Sequence, residues 1–116
     1  MSKRVVFNAD DFGRDPATTR ACVDAFENGL LISCSLMSVG FDYENARDQA
    51  KGHKIPVGVH VTVLSEMEKY IYKALTGVSP IAPDGHFQNR EHTIDLKPNV
   101  DSVIAESCAQ IDRQGS

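Results

Sequence analysis

The feature that most constrains this chain is a repeated change of hydrophobic period over residues 4–63, from short apolar runs to helical spacing and back. Arg4 to Ala9 is a short, mostly apolar run closed by Asp10, Asp11 and Gly13. Such a run suits a buried strand of a parallel sheet. Asp15-Pro16 supplies a helix start, with aspartate as N-cap and proline at the first helical position. Ala17, Ala21, Cys22, Ala25 and Phe26 share one helical face, and Asn28-Gly29 supplies the stop. Leu30 to Met37 reads as a second strand. Asp42 opens a second, weaker helix with Ala46 and Ala50 inward and Gly52 at its end. Ile55 to Val63 reads as a third strand, entered through Pro56. Strand, helix, strand, helix, strand is the order of βαβ units, which predicts an α/β fold with at least three parallel strands and right-handed crossovers.

Residues 64–98 break this rhythm. Gly77, Pro80, Pro83 and Asp84-Gly85 predict turns and a small hairpin. A connection of that length inside a compact domain is more often functional than idle. Val100, Val103, Ile104, Cys108 and Ile111 then return to helical spacing, and Gln114-Gly115 ends the element. A chain of 116 residues has room for one core. Three parallel strands with open edges are nevertheless an awkward finished product, because parallel sheets have both faces covered and free edges invite pairing with other chains. A closed eight-stranded barrel needs roughly 250 residues. The pattern is that of the opening third to half of something larger.

Charge and composition remove several function classes. A net charge of −4 and a pI near 5.5 argue against a nucleic-acid footprint, which needs clustered Lys and Arg. Lys3-Arg4, and Lys51 with Lys54, are the nearest approach to clusters and read as solvated ends of elements. No apolar stretch approaches the roughly 20 residues that span a bilayer. Val5-Val6-Phe7 is too short an apolar region for a signal peptide. Cys22, Cys34 and Cys108 are widely spaced and read as buried, reduced thiols of a cytoplasmic protein.

Three places carry residues suited to chemistry. Asp10 and Asp11 are adjacent carboxylates at the end of the first strand, and they repel each other. Two roles are open to them: capping the following turn, or binding a cation through one while the other handles protons. In Val57-Gly58-Val59-His60-Val61-Thr62, alternation puts Gly58, His60 and Thr62 on one face. A strand histidine is either a satisfied core residue or a ligand. The ends of strands one and three should face the same rim, where α/β sites collect, and an Asp oxygen with a His nitrogen suits zinc or a similar divalent ion. Ser33-Cys34-Ser35 on strand two offers hydroxyls to a sugar or, equally, to a backbone edge, while Cys34 has no sequence neighbour that would make it a nucleophile. His53 reads as a solvated helix end. His86 and His92 lie in the long loop as exposed polar residues or substitute ligands. Tyr70, Tyr72 and Phe87 serve there either as loop packing or as stacking surfaces for a sugar.

Taken in order, these segments resemble the YdjC family, whose members include chitooligosaccharide deacetylases. The resemblance runs through Asn8-Ala9-Asp10-Asp11-Phe12-Gly13, Gly29-Leu30-Leu31-Ile32-Ser33-Cys34-Ser35-Leu36-Met37 and Val57-Gly58-Val59-His60-Val61-Thr62-Val63. It continues through Ser65-Glu66, Ser79-Pro80-Ile81 and Asp84-Gly85-His86-Phe87. It implies a distorted (β/α) barrel of the TIM type, of which residues 1–116 would be a single N-terminal portion with 64–98 as a long loop insertion. It implies deacetylation of N-acetylated sugars, with Asp11 and His60 as ligands of a zinc or magnesium ion and Asp10 as general base. The family's third ligand lies on a later Thr-His-x-Asp-x-His strand, and its general acid lies further on, so the resemblance implies an incomplete and inactive site here. Met67 stands where similar members carry tryptophan. The other reading is a non-catalytic half barrel that self-associates through its strand edges.

Overall fold

A computed structural model of the chain describes residues 2–66, 68–89 and 99–115. The chain divides into two compact units, residues 1–60 and 61–116. His92 and the rest of 90–98, like Met67, lie outside the described residues.

The first unit is α/β. Strand β1 (Asn8–Phe12), helix α1 (Pro16–Glu27), strand β2 (Ser33–Leu36), helix α2 (Tyr43–His53) and strand β3 (Val57–Val59) follow in order. The three strands form one open parallel sheet in the order β1-β2-β3, as in a partial (β/α) barrel. One face is covered by the helices: Phe12, Cys34 and Leu36 from the strands meet Cys22 and Val23 of α1 and Tyr43, Ala46 and Ala50 of α2. Each large apolar side chain buried there contributes about 1.5–3 kcal/mol. The other face presents Asn8, Asp10, Ser33, Ser35 and Gly58, all exposed or half-buried.

Helix α1 starts and stops where the sequence predicts. Asp15 Oδ1 accepts from Thr18 N–H at 2.8 Å, Pro16 occupies the first helical turn, and Gly29 follows with φ of 73°. Helix α2 runs through Gly52, and its stop is Lys54 in the left-handed region at φ 57°. The strands differ more. β1 lies towards the acidic end of its predicted span, and Val5, Val6 and Phe7 are exposed. Phe12 is fully buried and its carbonyl accepts from Met37 N–H at 2.9 Å, which anchors the strand at that end. β2 and β3 are shorter than expected, though His60 N–H still donates to Leu36 O at 2.9 Å.

The second unit is a packed loop and helix α3 (Val100–Gly115). The predicted hairpin is present as Phe87 N–H to Tyr72 O (3.0 Å) and Ala74 N–H to Gly85 O (2.9 Å). Tyr70, Tyr72, Ile81 and Phe87 are buried, so the aromatic residues pack the loop. Helix α3 forms as its periodicity predicts, but Val100, Ile104 and Ile111 are exposed and the fully buried residues are Glu106 and Gln110. Loop backbone draws them in. Leu75 and Thr76 N–H donate to Glu106 at 3.1 and 3.0 Å, and Gln110 brackets Thr62 by accepting from its N–H (2.9 Å) and donating to its carbonyl (2.6 Å). Cys108, expected to be buried, is therefore exposed, whereas Cys22 and Cys34 are buried and unpaired. No helix among the described residues is long and apolar enough to cross a membrane.

Candidate functional site

The site grows out of an irregularity in β1. Ala9 pairs with Cys34 and Phe12 with Leu36, so three steps along β1 match two along β2. This is a β-bulge at Asp10-Asp11, and such bulges re-aim side chains. Asp11 takes up the extra residue with φ of +62°, a region that aspartate tolerates better than most residues.

Two loops then lock the end of the strand. Asp42 N–H donates to Gly13 O at 3.0 Å and Phe41 N–H to Arg14 O at 3.1 Å, tying the β1–α1 connection to the β2–α2 connection. Gly40 allows this approach, because a Cβ there would stand 2.1 Å from Gly13 O.

Within that frame Asp11 and His60, 49 positions apart, are neighbours. Asp11 N–H donates to His60 Nδ1 at 3.3 Å, and Asp11 Oδ1 lies 3.6 Å from His60 Nε2. With Nδ1 accepting, a neutral ring carries its proton on Nε2. The other carboxylate oxygen, Oδ2, is 3.5 Å from Arg14 Nη1. Both side chains are about one-third exposed or less, so the pair opens to solvent.

Asp10 is exposed on the polar face of the sheet and is held from β2 through Asn8. Asn8 Nδ2 donates to Asp10 Oδ1 at 3.3 Å and to Ser35 Oγ at 3.0 Å, while Ser33 Oγ donates to Asn8 Oδ1 at 2.7 Å. The Ser33 and Ser35 hydroxyls thus hold a side chain that orients Asp10. Cys34, between them in sequence, faces the core; burial first, and then the neighbouring Cys22, push its thiol up to about 12, which removes it as a nucleophile.

Two other histidines have partners of their own. His53 bridges the two helices, with Nδ1 2.6 Å from Glu27 Oε1 and Nε2 3.2 Å from Gln49 Oε1. His86 is exposed beside Asp84 in the second unit. Asn8 and Arg14 were not singled out by residue-type reasoning. The signals that would find them are spacing: Asn8 two before Asp10 on one strand face, and Arg14 three after Asp11.

The pair's chemistry suits a divalent cation. Two ligand atoms, each about 2.0–2.1 Å from a tetrahedral ion, stand roughly 3.4 Å apart, near the 3.6 Å between Asp11 Oδ1 and His60 Nε2. Binding through Nε2 moves the ring proton to Nδ1, at the expense of the bond from Asp11 N–H. Arg14 already supplies a cation on Asp11. No group of three or more His, Cys, Asp or Glu side chains arranged to hold a metal occurs among the described residues.

Residues 4–115 match the family described as YdjC-like protein. A carbohydrate deacetylase of Enterococcus faecalis is 28% identical over 112 residues, covering 95% of this chain and 42% of that protein. The human carbohydrate deacetylase is 39% identical over 85 residues, covering 72% of this chain and 26% of its own. Among solved structures, an E. faecalis V583 protein named for cellobiose-phosphate cleavage superposes with a TM-score of 0.77 at 25% identity, covering 96% of this chain and 44% of that one. The chain spans less than half the length of these relatives.

Proposed function

This chain belongs to the YdjC-like family, and on that footing we propose that it carries the first part of a metal-dependent site that removes acetyl groups from N-acetylated sugars. The observation that carries this reading is the approach of Asp11 Oδ1 to His60 Nε2 at 3.6 Å, with Asp10 one residue away. A divalent ion held there supplies Lewis acidity towards water and the amide carbonyl. Asp11 and His60 are its ligands. Asp10, kept in orientation by Asn8, accepts the proton of the attacking water. Catalytic zinc uses three protein ligands and a water, so the third ligand, and the acid that protonates the departing amine, come from beyond these three residues.

Calorimetric titration with zinc tests the reading, alongside acetate release from diacetylchitobiose. The chain is expected to take up zinc weakly, to lose that uptake in Asp11→Asn and in His60→Ala, and to release no acetate by itself. Zinc uptake unchanged in both variants, or robust turnover by the monomeric chain, would sink the proposal.

A second reading, a non-catalytic module that self-associates, is favoured by the exposed apolar group Val5, Val6, Phe7, Leu30 and Ile32 beside the β1–β2 pair. Phe7 and Ile32 are joined there by a backbone hydrogen bond of 3.0 Å. Contiguous exposed apolar residues mark interaction surfaces. Light scattering separates the two, since a monomer at high concentration removes the second reading.

A further inference from the structure

Asp11 has an intramolecular cation beside it already. Arg14 Nη1 lies 3.5 Å from Asp11 Oδ2, its Nε 3.2 Å from Asp15 Oδ2, and its Nη2 donates to Thr18 Oγ1 at 3.3 Å. Arg14 N–H also donates to Asp11 O at 3.0 Å, so the residue is fixed by a turn as well as by its side chain. Asp15 divides its two oxygens, Oδ1 capping α1 and Oδ2 accepting from Arg14 Nε. The guanidinium thus bridges the Asp15 and Asp11 carboxylates, approaching Asp11 at Oδ2 while His60 lies by Oδ1, and its planar fork is anchored at three points. An always-charged group in that position does two things to an ion arriving between Asp11 Oδ1 and His60 Nε2. It withdraws charge from the carboxylate, and it repels the newcomer.

We propose that Arg14 is the resident counter-cation of Asp11 and sets the affinity of the Asp11–His60 pair for a divalent ion, holding it below what the two ligands alone would give. The inference rests on the reading of Asp11 and His60 as metal ligands. Arg14 touches neither metal nor substrate. It is not a ligand, and it acts through its charge, both on the Asp11 carboxylate and on an arriving ion.

The magnitude follows from Coulomb's law. A unit charge about 5 Å from a divalent ion, in the near-water dielectric of a partly exposed site, weakens binding by about tenfold. Because the effect is electrostatic, it shrinks as salt rises.

The test is calorimetric titration of the whole chain with zinc alone, at low and high ionic strength, on the parent, Arg14→Gln, Arg14→Lys and Asp11→Asn. Arg14→Gln is expected to bind zinc about tenfold more tightly at low salt, with the ratio to the parent falling towards one at high salt. Arg14→Lys, which keeps the charge but not the fork, is expected to stay near the parent. Affinity in Arg14→Gln that is unchanged or weaker, with Asp11→Asn abolishing uptake, overturns this inference and leaves the metal site standing. Equal uptake by the parent and Asp11→Asn, or no uptake by any of the four, overturns both. A purely structural Arg14 would lower the melting temperature of Arg14→Gln and give an affinity change that salt does not erase. Should Arg14→Gln not fold, tighter binding by Arg14→Lys contradicts the charge account, and parent-like binding that weakens the same way with salt supports it.

Discussion

Replacing Gly40 with alanine probes the lock that holds the site's loops together. The added Cβ would stand 2.1 Å from Gly13 O, 2.7 Å from Gly13 C and 3.2 Å from Arg14 N. All three are backbone atoms, so no rotamer change relieves the contact. Real Cβ atoms are essentially never found closer than 3.0 Å, so the two connections must part by about 1 Å. The hydrogen bonds from Asp42 N–H (3.0 Å) and Phe41 N–H (3.1 Å) are then stretched beyond bonding distance. Overpacking of this kind costs about 1–3 kcal/mol, and each lost hydrogen bond adds about 1 kcal/mol. The sum, about 3–5 kcal/mol, is a large part of the roughly 5–15 kcal/mol that holds a domain folded. Urea denaturation followed by far-ultraviolet circular dichroism measures it directly, and the melting temperature should fall by roughly 12 °C or more. Gly52→Ala is the control: nothing lies within 4 Å of its Cβ position, and it sits inside α2. It should be neutral or gain up to about 1 kcal/mol. A Gly40→Ala protein within about 1 kcal/mol of the parent would refute the reasoning.

Two further outcomes follow from buried groups. Burial works against ionisation of Glu106, but bonds from Gln110, Thr76 and Leu75 outweigh it and hold the carboxyl below its ordinary range. A folded value below the unfolded one contributes stability above the unfolded value that is lost as pH falls through the folded one. The urea midpoint of the parent should thus drop below about pH 4. Glu106→Gln should lose about 1–3 kcal/mol near neutrality and flatten that acid limb; an unchanged limb would exclude Glu106 as its source. Thiol labelling at mildly alkaline pH should modify Cys108 alone in the folded chain and all three cysteines in denaturant. Rapid native labelling of Cys34, whose thiol is pushed up to about 12, would contradict its buried setting.

Local signals in the sequence carried furthest. Asp15-Pro16 and Asn28-Gly29 bound α1 because caps depend on a few adjacent residues. The nearness of Asp11 and His60 was legible too, since strands of a parallel sheet deliver their ends to one rim. What depended on distant partners was not legible. The shift of β1 towards Phe12 comes from its ladder with β2, and the bulge at Asp10-Asp11 exists only in that pairing. The inward turn of Glu106 and Gln110 is dictated by N–H groups 30 to 48 residues earlier, against the apolar period of α3. Asn8 and Arg14 escaped for a similar reason, because their partners become visible only when the carboxylates are aimed.

The left-handed backbone at Asp11 has a consequence for how much substitution the site tolerates. Most residues pay for that conformation with backbone strain, whereas glycine, asparagine and aspartate do so least. Of these, aspartate alone brings a full negative charge. Loss of the side chain and loss of the local chain path are therefore separable there by only two replacements, Asp11→Asn and Asp11→Gly. Random mutation at this codon will mostly damage fold and chemistry together, so surveys of function should report it as an intolerant position even under conditions where no catalysis is demanded.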